Sequence, residues 1–216
     1  MYELLIIVVF AGLAYHDATV HDDEFADVSR KVGTRIGKLY DIAHQGMREK
    51  RFLRAEKALL TILKIDEKNA VAYNRLGILY AKQKEYRDAI DCFEIASSIE
   101  ATPSSLHNLG LIYYETENYE KAAVAFEQAL KLDDKSAARH VAYAKVQDKL
   151  GNDKLMFQHL EKAAELEPNR ETFSLLQKAY ADHDMAAEAD IMADKLKKLA
   201  APAKRRRILR PRRVVI

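Results

Sequence analysis

The sequence contains few of the residues that break helices or build covalent sites. Among its 216 residues there are 7 glycines, 4 prolines, one cysteine and no tryptophan. The single cysteine, Cys92, excludes an internal disulfide and a cysteine-based structural zinc site, since each needs a second thiol. Because the short turns of sheets use both glycine and proline, their scarcity favours helices over strands.

Catalytic and cofactor motifs are also missing. No two glycines are spaced as in G-x-G-x-x-G or a phosphate-binding P-loop, and neither H-E-x-x-H nor G-x-S-x-G occurs. His16 and His21 lie among aspartates, but their five-residue step separates the two rings around a helix, so we interpret this stretch as a hydrated linker rather than a metal site. We therefore expect neither an enzyme nor a cofactor, and no small-molecule substrate.

The charge is unevenly distributed. The chain has 35 Lys and Arg against 33 Asp and Glu, yet the last thirteen residues contain seven bases and no acid. Without these seven, 28 bases remain against 33 acids, so the body is acidic and residues 200–216 are predicted to be a disordered basic tail. The basic residues of this tail are Lys204, Arg205, Arg206, Arg207, Arg210, Arg212 and Arg213.

An apolar run of twelve residues, 4–15, lies near the amino terminus. As a helix it measures about 18 Å, less than the ~30 Å of a bilayer core, but residues 1–18 with Tyr2 and Tyr15 at the interfaces span more. A secretory signal would require Lys or Arg before the apolar run, and none is present there. We favour an uncleaved membrane anchor over a hydrophobic helix packed on the body or a cleaved signal.

An acidic linker, 19–35, is predicted to follow the anchor. Its bases, including Arg30 and Arg35, lie on the carboxyl side of the apolar run, which favours a body that faces the cytoplasm. The predicted location is therefore the membrane, with a cytoplasmic location as the alternative.

A pattern of apolar and small residues repeats with a spacing of 33 residues. Tyr73-x-x-Leu76-Gly77-x-x-Tyr80 is followed by Ala89, Phe93 and Ala96, and the same slots recur as Leu106, Leu109, Gly110, Tyr113, Ala122, Phe126 and Ala129. This pattern resembles the tetratricopeptide repeat, which is a pair of antiparallel helices.

The resemblance implies an all-α fold. Four repeats, 36–69, 70–102, 103–136 and 137–170, and a capping helix pair, 171–199, are expected to stack into a right-handed α-solenoid. Small residues such as Gly77 and Gly110 allow the two helices of a pair to approach closely, while Ala89 and Ala122 make room for the bulky Tyr80 and Tyr113.

Proteins of this family bind extended peptides or helices in a groove formed by the first helix of each repeat. Asparagines in such a groove contact a peptide backbone, and bases such as Arg75 and Lys145 favour an acidic ligand. Transferring the family's frame gives the groove positions Tyr40, His44, Asn74, Arg75, Lys82, His107, Asn108, Tyr114, Lys145 and Lys149.

The leading hypothesis is a membrane-anchored adaptor or scaffold without catalytic activity that binds a protein or peptide in this groove. One alternative is a soluble factor that binds nucleic acid through the basic tail, whose charge also suits an anionic lipid surface. Another alternative is an accessory subunit of an enzyme or secretion assembly.

Overall fold

The computed structural model describes residues 30–200, and in this range it contains helices and no strand. The chain divides into two compact units, Met1–Ala101 and Thr102–Ile216. The described part of the first unit holds α1 (30–48), α2 (Phe52–Ile65), α3 (Ala70–Gln83) and α4 (Tyr86–Ile99). The second unit holds α5 (Pro103–Glu115), α6 (Tyr119–Leu132), α7 (Ala137–Lys149), α8 (Asp153–Leu166), α9 (Arg170–Asp182) and α10 (Ala186–Ala200).

The helices are arranged as pairs joined by short turns. In every pair, one residue of the turn has left-handed backbone geometry, which reverses the chain within a few residues. Only one of these five residues is a glycine, so glycine content does not reveal the turns. They recur every 33 or 34 positions: Lys50, Lys84, Glu117, Gly151 and Asp184.

The connections between successive pairs are fixed by side-chain caps. The Asn69 side chain accepts a hydrogen bond from the backbone N–H of Ala72 at 2.9 Å and so begins α3. Thr102 with Ser105, and Asn169 with Thr172, form reciprocal capping boxes at the starts of α5 and α9. Each cap satisfies backbone donors that the first turn of a helix leaves unpaired.

In the pairs α3–α4 and α5–α6, the two helices meet at a glycine on the first and a phenylalanine on the second. A Cβ atom added to Gly77 would lie 2.6 Å from the Phe93 ring, and one added to Gly110 would lie 2.9 Å from the Phe126 ring. Both phenylalanines are buried completely or almost so. These contacts support the expectation that glycine permits close approach within a pair.

Stacking of one pair on the next builds the core of each unit. In the first unit, Leu59 and Ile62 of α2 pack with Leu76 and Leu79 of α3. In the second unit, α8 packs on α9 through a cluster that includes Met156, Leu160, Phe173, Leu176 and Tyr180. The all-helical class and the stacking of antiparallel pairs within each unit are thus confirmed, while the right-handed superhelix of the whole chain stays a prediction.

One boundary differs from the expectation. Residues 30–35, which the sequence analysis assigns to the acidic linker, are the beginning of α1 in the structure. All six residues of this segment are exposed, so it has no apolar stripe by which a helix can be recognised from sequence. The candidate anchor, residues 1–18, most of the linker, and the tail from residue 201 lie outside the described residues. Within 30–200, no helix is both long and apolar enough to span a bilayer.

The contact between Gly77 and Phe93 makes a prediction about stability. Gly77→Ala should lower the free energy of unfolding by about 1–2 kcal/mol, because the buried ring must move and this cost exceeds the gain in helix propensity. Gly37→Ala is the matched control, since Gly37 is also helical but has no atom within 4 Å of its added Cβ.

Urea unfolding followed by circular dichroism measures both variants. Gly37→Ala should raise the free energy of unfolding by about 0.5–1 kcal/mol. A stabilisation of Gly77→Ala equal to that of the control would contradict the packing account.

Candidate functional site

A cavity of about 310 Å³ lies in the second unit. It is bordered by α5 and α7, which are the first helices of two successive pairs, and by the beginning of α9. On α5, the residues His107, Leu111 and Tyr114 line it, and their spacing of four and three residues places them on one helix face. The cavity is thus built from the helix faces that the resemblance assigns to ligand binding.

The wall formed by α7 is apolar along most of its length. Ala138, Val141, Ala142 and Lys145 face the cavity at intervals of one helical turn. Leu111 on the opposite wall has 39% of its surface exposed. Apolar side chains on both walls remain accessible, so a ligand that buries them gains hydrophobic free energy.

Three acids and one base line the same cavity. Glu115 ends α5, Glu167 and Glu171 flank the turn before α9, and Lys145 is the basic residue of the lining. This composition differs from the basic groove, suited to an acidic ligand, that is predicted from Arg75, Lys82, Lys145 and Lys149. The three glutamates were not predicted as site residues, because they lie at helix ends and in a turn, outside the repeat signature.

His107 places a buried polar atom beside the apolar walls. Its ring meets the Phe126 ring edge-on, with 5.3 Å between the centroids, and its Nδ1 atom is buried with no hydrogen-bond partner among the described residues. Burial, and to a smaller extent the charge of Arg139, lowers the pKa of His107 below its ordinary value. A neutral imidazole has one donor and one acceptor nitrogen, so a ligand that reaches this ring can form a hydrogen bond with it.

The structure brings together some of the predicted groove residues of the second unit and not others. His107, Tyr114 and Lys145 line the cavity, whereas Asn108 and Lys149 are not part of its lining. Tyr114 also contacts Tyr119 edge-on, with ring centroids 5.6 Å apart, which orients its ring.

In the first unit, two of the predicted residues hold helices together. The Tyr40 hydroxyl donates a 2.6 Å hydrogen bond to Oδ1 of Asn69, the residue that caps α3. The Arg75 guanidinium lies over the Tyr40 ring, 4.4 Å from its centroid. Burial, more than any other cause, raises the pKa of Tyr40. Tyr40 and Arg75 therefore tie α1 to α3.

The remaining predicted residues of the first unit are less involved in packing. His44 and Lys82 are exposed, and Asn74 is half-buried. The role of these residues as a ligand groove stays a prediction.

A buried pair of histidines links α7 to α8. The Nδ1 atoms of His140 and His159 are 2.8 Å apart, and Nε2 of His140 lies 2.8 Å from the backbone oxygen of Asp134. Since a carbonyl only accepts, Nε2 of His140 donates to it, and Nδ1 of a neutral His140 must accept the N–H of His159. Burial, and then the adjacent His140, lowers the pKa of His159 to about 4.

Cys92 is packed rather than reactive. It is a buried free thiol on α4, and burial raises its pKa to about 11, so very little thiolate is present at neutral pH. Within 30–200, no group of three or more histidine, cysteine, aspartate or glutamate side chains is placed to hold a metal ion.

Two family models match the chain, each described as the tetratricopeptide repeat. They cover residues 70–100 and 103–136, which are the two segments with the full sequence pattern. The chain therefore contains tetratricopeptide repeats. No match is found among curated proteins.

Solved structures share the fold at low sequence identity. MamA is 20% identical, with a TM-score of 0.68, over 77% of this chain and 92% of that one. MamA from Desulfovibrio magneticus RS-1 is 15% identical, with a TM-score of 0.68, over 77% of this chain and 95% of that one. YrrB, described as a tetratricopeptide repeat protein with an unusual peptide-binding site, is 20% identical, with a TM-score of 0.63, over 74% and 84% respectively.

The histidine pair makes the stability of the second unit depend on pH. The folded-state pKa of His159 is lowered, whereas an unfolded histidine titrates near 6.5, so between these values the unfolded chain binds more protons. The contribution of the pair to the free energy of unfolding is fully present above about pH 7 and is lost as the pH decreases from about 6.5 to 4. The expected loss is on the order of 1–2 kcal/mol, since solvent screens a half-buried ring.

Urea unfolding measured at several pH values tests this dependence. The groups around the pair are Tyr143 on α7 and Glu161, Lys162 and Glu165 on α8. His159→Asn keeps a side-chain donor for His140 but does not titrate, so the loss of stability on acidification should become smaller. His44→Asn, which removes an exposed histidine of the first unit, is the control. An unchanged pH dependence in His159→Asn would refute the assignment.

Proposed function

We propose that this protein is an adaptor without catalytic activity that binds a peptide segment of a protein partner in the cavity between α5, α7 and α9. The observation that carries the proposal is the cavity itself, with accessible apolar walls and charged residues at its border. A segment of extended chain fits such a site, since apolar side chains supply affinity and the charges select sequence.

The comparisons support this proposal at the level of the fold. Tetratricopeptide repeats occupy both units, and YrrB, which has a similar fold, is described as having a peptide-binding site. The absence of catalytic motifs from the sequence favours an adaptor over an enzyme.

The lining indicates the chemistry of the partner. Glu115, Glu167 and Glu171 outnumber Lys145, so a peptide with basic residues is attracted to the border of the cavity. Leu111 and Val141 favour an apolar side chain between those bases. We therefore propose a peptide with alternating apolar and basic residues, in place of the acidic ligand expected from the predicted groove lysines.

We also propose that residues 1–18 anchor the protein in a membrane, with the repeats facing the cytoplasm. The support is the apolar run of residues 4–15 and the position of the nearest bases on its carboxyl side. The seven bases of the tail would then add a contact with an anionic leaflet at about 1 kcal/mol per base.

Binding of defined peptides to the full chain tests the proposed site. Fluorescent peptides of about ten residues carry leucine at every second position and lysine, glutamate or serine at the others. The lysine peptide should bind most tightly, with a dissociation constant of about 10–100 μM by fluorescence anisotropy. Preferential binding of the glutamate peptide, or of none, would contradict the proposed partner class.

Substitutions on the two walls locate the binding. Leu111→Ser should weaken the lysine peptide about tenfold, because it removes an apolar contact from the wall without adding a charge. Val124→Ser on α6 is the matched control, since Val124 is even more exposed and lies outside the cavity. Lys145→Glu should strengthen binding of the same peptide, an effect that general destabilisation does not produce.

A further inference from the structure

A second, shallower groove lies in the first unit, away from the residues discussed so far. It has a volume of about 720 Å³ and is formed by α1, α2 and the turn between them. Leu39, Ile42 and Phe52 are half-buried and line its apolar base, and they pack on the core of the first unit beneath. Leu53, with 64% of its surface exposed, lies on its border.

Equivalent positions in later pairs show that this groove is an uncovered packing surface. Ile42 occupies the slot of Leu76 and Leu109 in the repeat, which are only 2% and 7% exposed. Ile42 remains half-exposed. In the first unit, Leu76 is covered by α2 of the preceding pair. No described helix precedes α1, so nothing described covers Ile42.

Leu53 is a second indication that another segment packs on this groove. The same slot in the next two pairs holds the charged residues Arg87 and Glu120. A leucine in a position where the repeat otherwise places a charge is expected where another surface packs against it.

The border of the groove is basic. Lys50, Arg51, Arg54 and Lys57 line it, and no acid does. Arg51 is paired with Glu49, at 3.1 Å between Nη1 and Oε2, and its side chain is 64% exposed. An apolar base surrounded by bases fits a segment that combines apolar residues with acids.

The residues that precede α1 have this composition. Residues 17–28 contain the acids Asp17, Asp22, Asp23, Glu24 and Asp27 with no Lys or Arg. Val20, Phe25 and Val28 provide apolar side chains among these acids. We propose that residues 19–28 pack in the groove between α1 and α2 of the same chain, with Phe25 on the apolar base and the acids facing Lys50, Arg54 and Lys57.

The segment is long enough to reach the groove. Leu39 lies about 14 Å along α1 from residue 30, at 1.5 Å per residue. Phe25, five residues before residue 30, reaches about 17 Å from it when extended, and Val20, ten residues before it, reaches about 34 Å. Because the segment is tethered, its effective concentration at the groove is in the millimolar range, which favours it over an untethered acidic peptide.

Disulfide trapping in the full chain, kept in a nonionic detergent, tests the proposal. Val20→Cys combined with Leu53→Cys should give at least five times more intramolecular disulfide on mild oxidation than Val20→Cys with Val71→Cys. Val71 is a suitable control because it is 48% exposed on α3 and outside the groove. The native Cys92 is buried and stays in both variants.

Two results of the trapping experiment would overturn the proposal. Equal yields in the two variants would mean that the segment does not occupy the groove. A disulfide that forms only between chains would assign the groove to a second copy of this protein.

Charge reversal tests whether the acids of the segment pair with the bases on the border of the groove. Arg54→Glu with Lys57→Glu should lower the intramolecular yield at least threefold at low salt, and adding Asp22→Lys with Asp23→Lys should restore it. If these reversals leave the yield unchanged but abolish sedimentation with phosphatidylglycerol vesicles, the basic border binds lipid and the proposal is wrong.

Discussion

The structure depends on the close contact between the two helices of each pair. At Gly77 and Gly110 the first helix has no side chain, so the rings of Phe93 and Phe126 pack against its backbone. This contact uses the inner face of the first helix and fixes the distance between the partners. Its other side chains remain available for stacking and for ligand contact.

The cavity of the second unit exists because one face of α5 packs on its partner helix while another face stays accessible. On α5, Leu109, Gly110 and Tyr113 are buried, whereas His107, Leu111 and Tyr114 on another face line the cavity. The same helix therefore stabilises the fold and lines the cavity that we propose as the binding site. Substitutions on the cavity face can alter partner choice with little effect on packing, which suits an adaptor.

The sequence predicts the fold better than the site. Leu76-Gly77 and Leu109-Gly110, with Phe93 and Phe126, identify the helix pairs because packing requires those residue types at fixed spacing. The repeat signature does not specify which residue types occupy the border of the cavity. Glu115, Glu167 and Glu171 lie at helix ends and in a turn, and their meeting depends on how successive pairs stack. Tyr40 and Arg75, which are predicted as ligand residues, also contact each other, a role in packing that the repeat signature does not indicate.

Hydrogen–deuterium exchange of the full chain with and without the lysine–leucine peptide tests the central claim most directly. Peptide binding in the cavity should slow exchange in α5, α7 and the first turn of α9, and leave α2 and α10 unchanged, because no residue of α2 or α10 lines the site. Protection confined to other helices, or no protection at saturating peptide, would contradict the assignment of this cavity as the binding site.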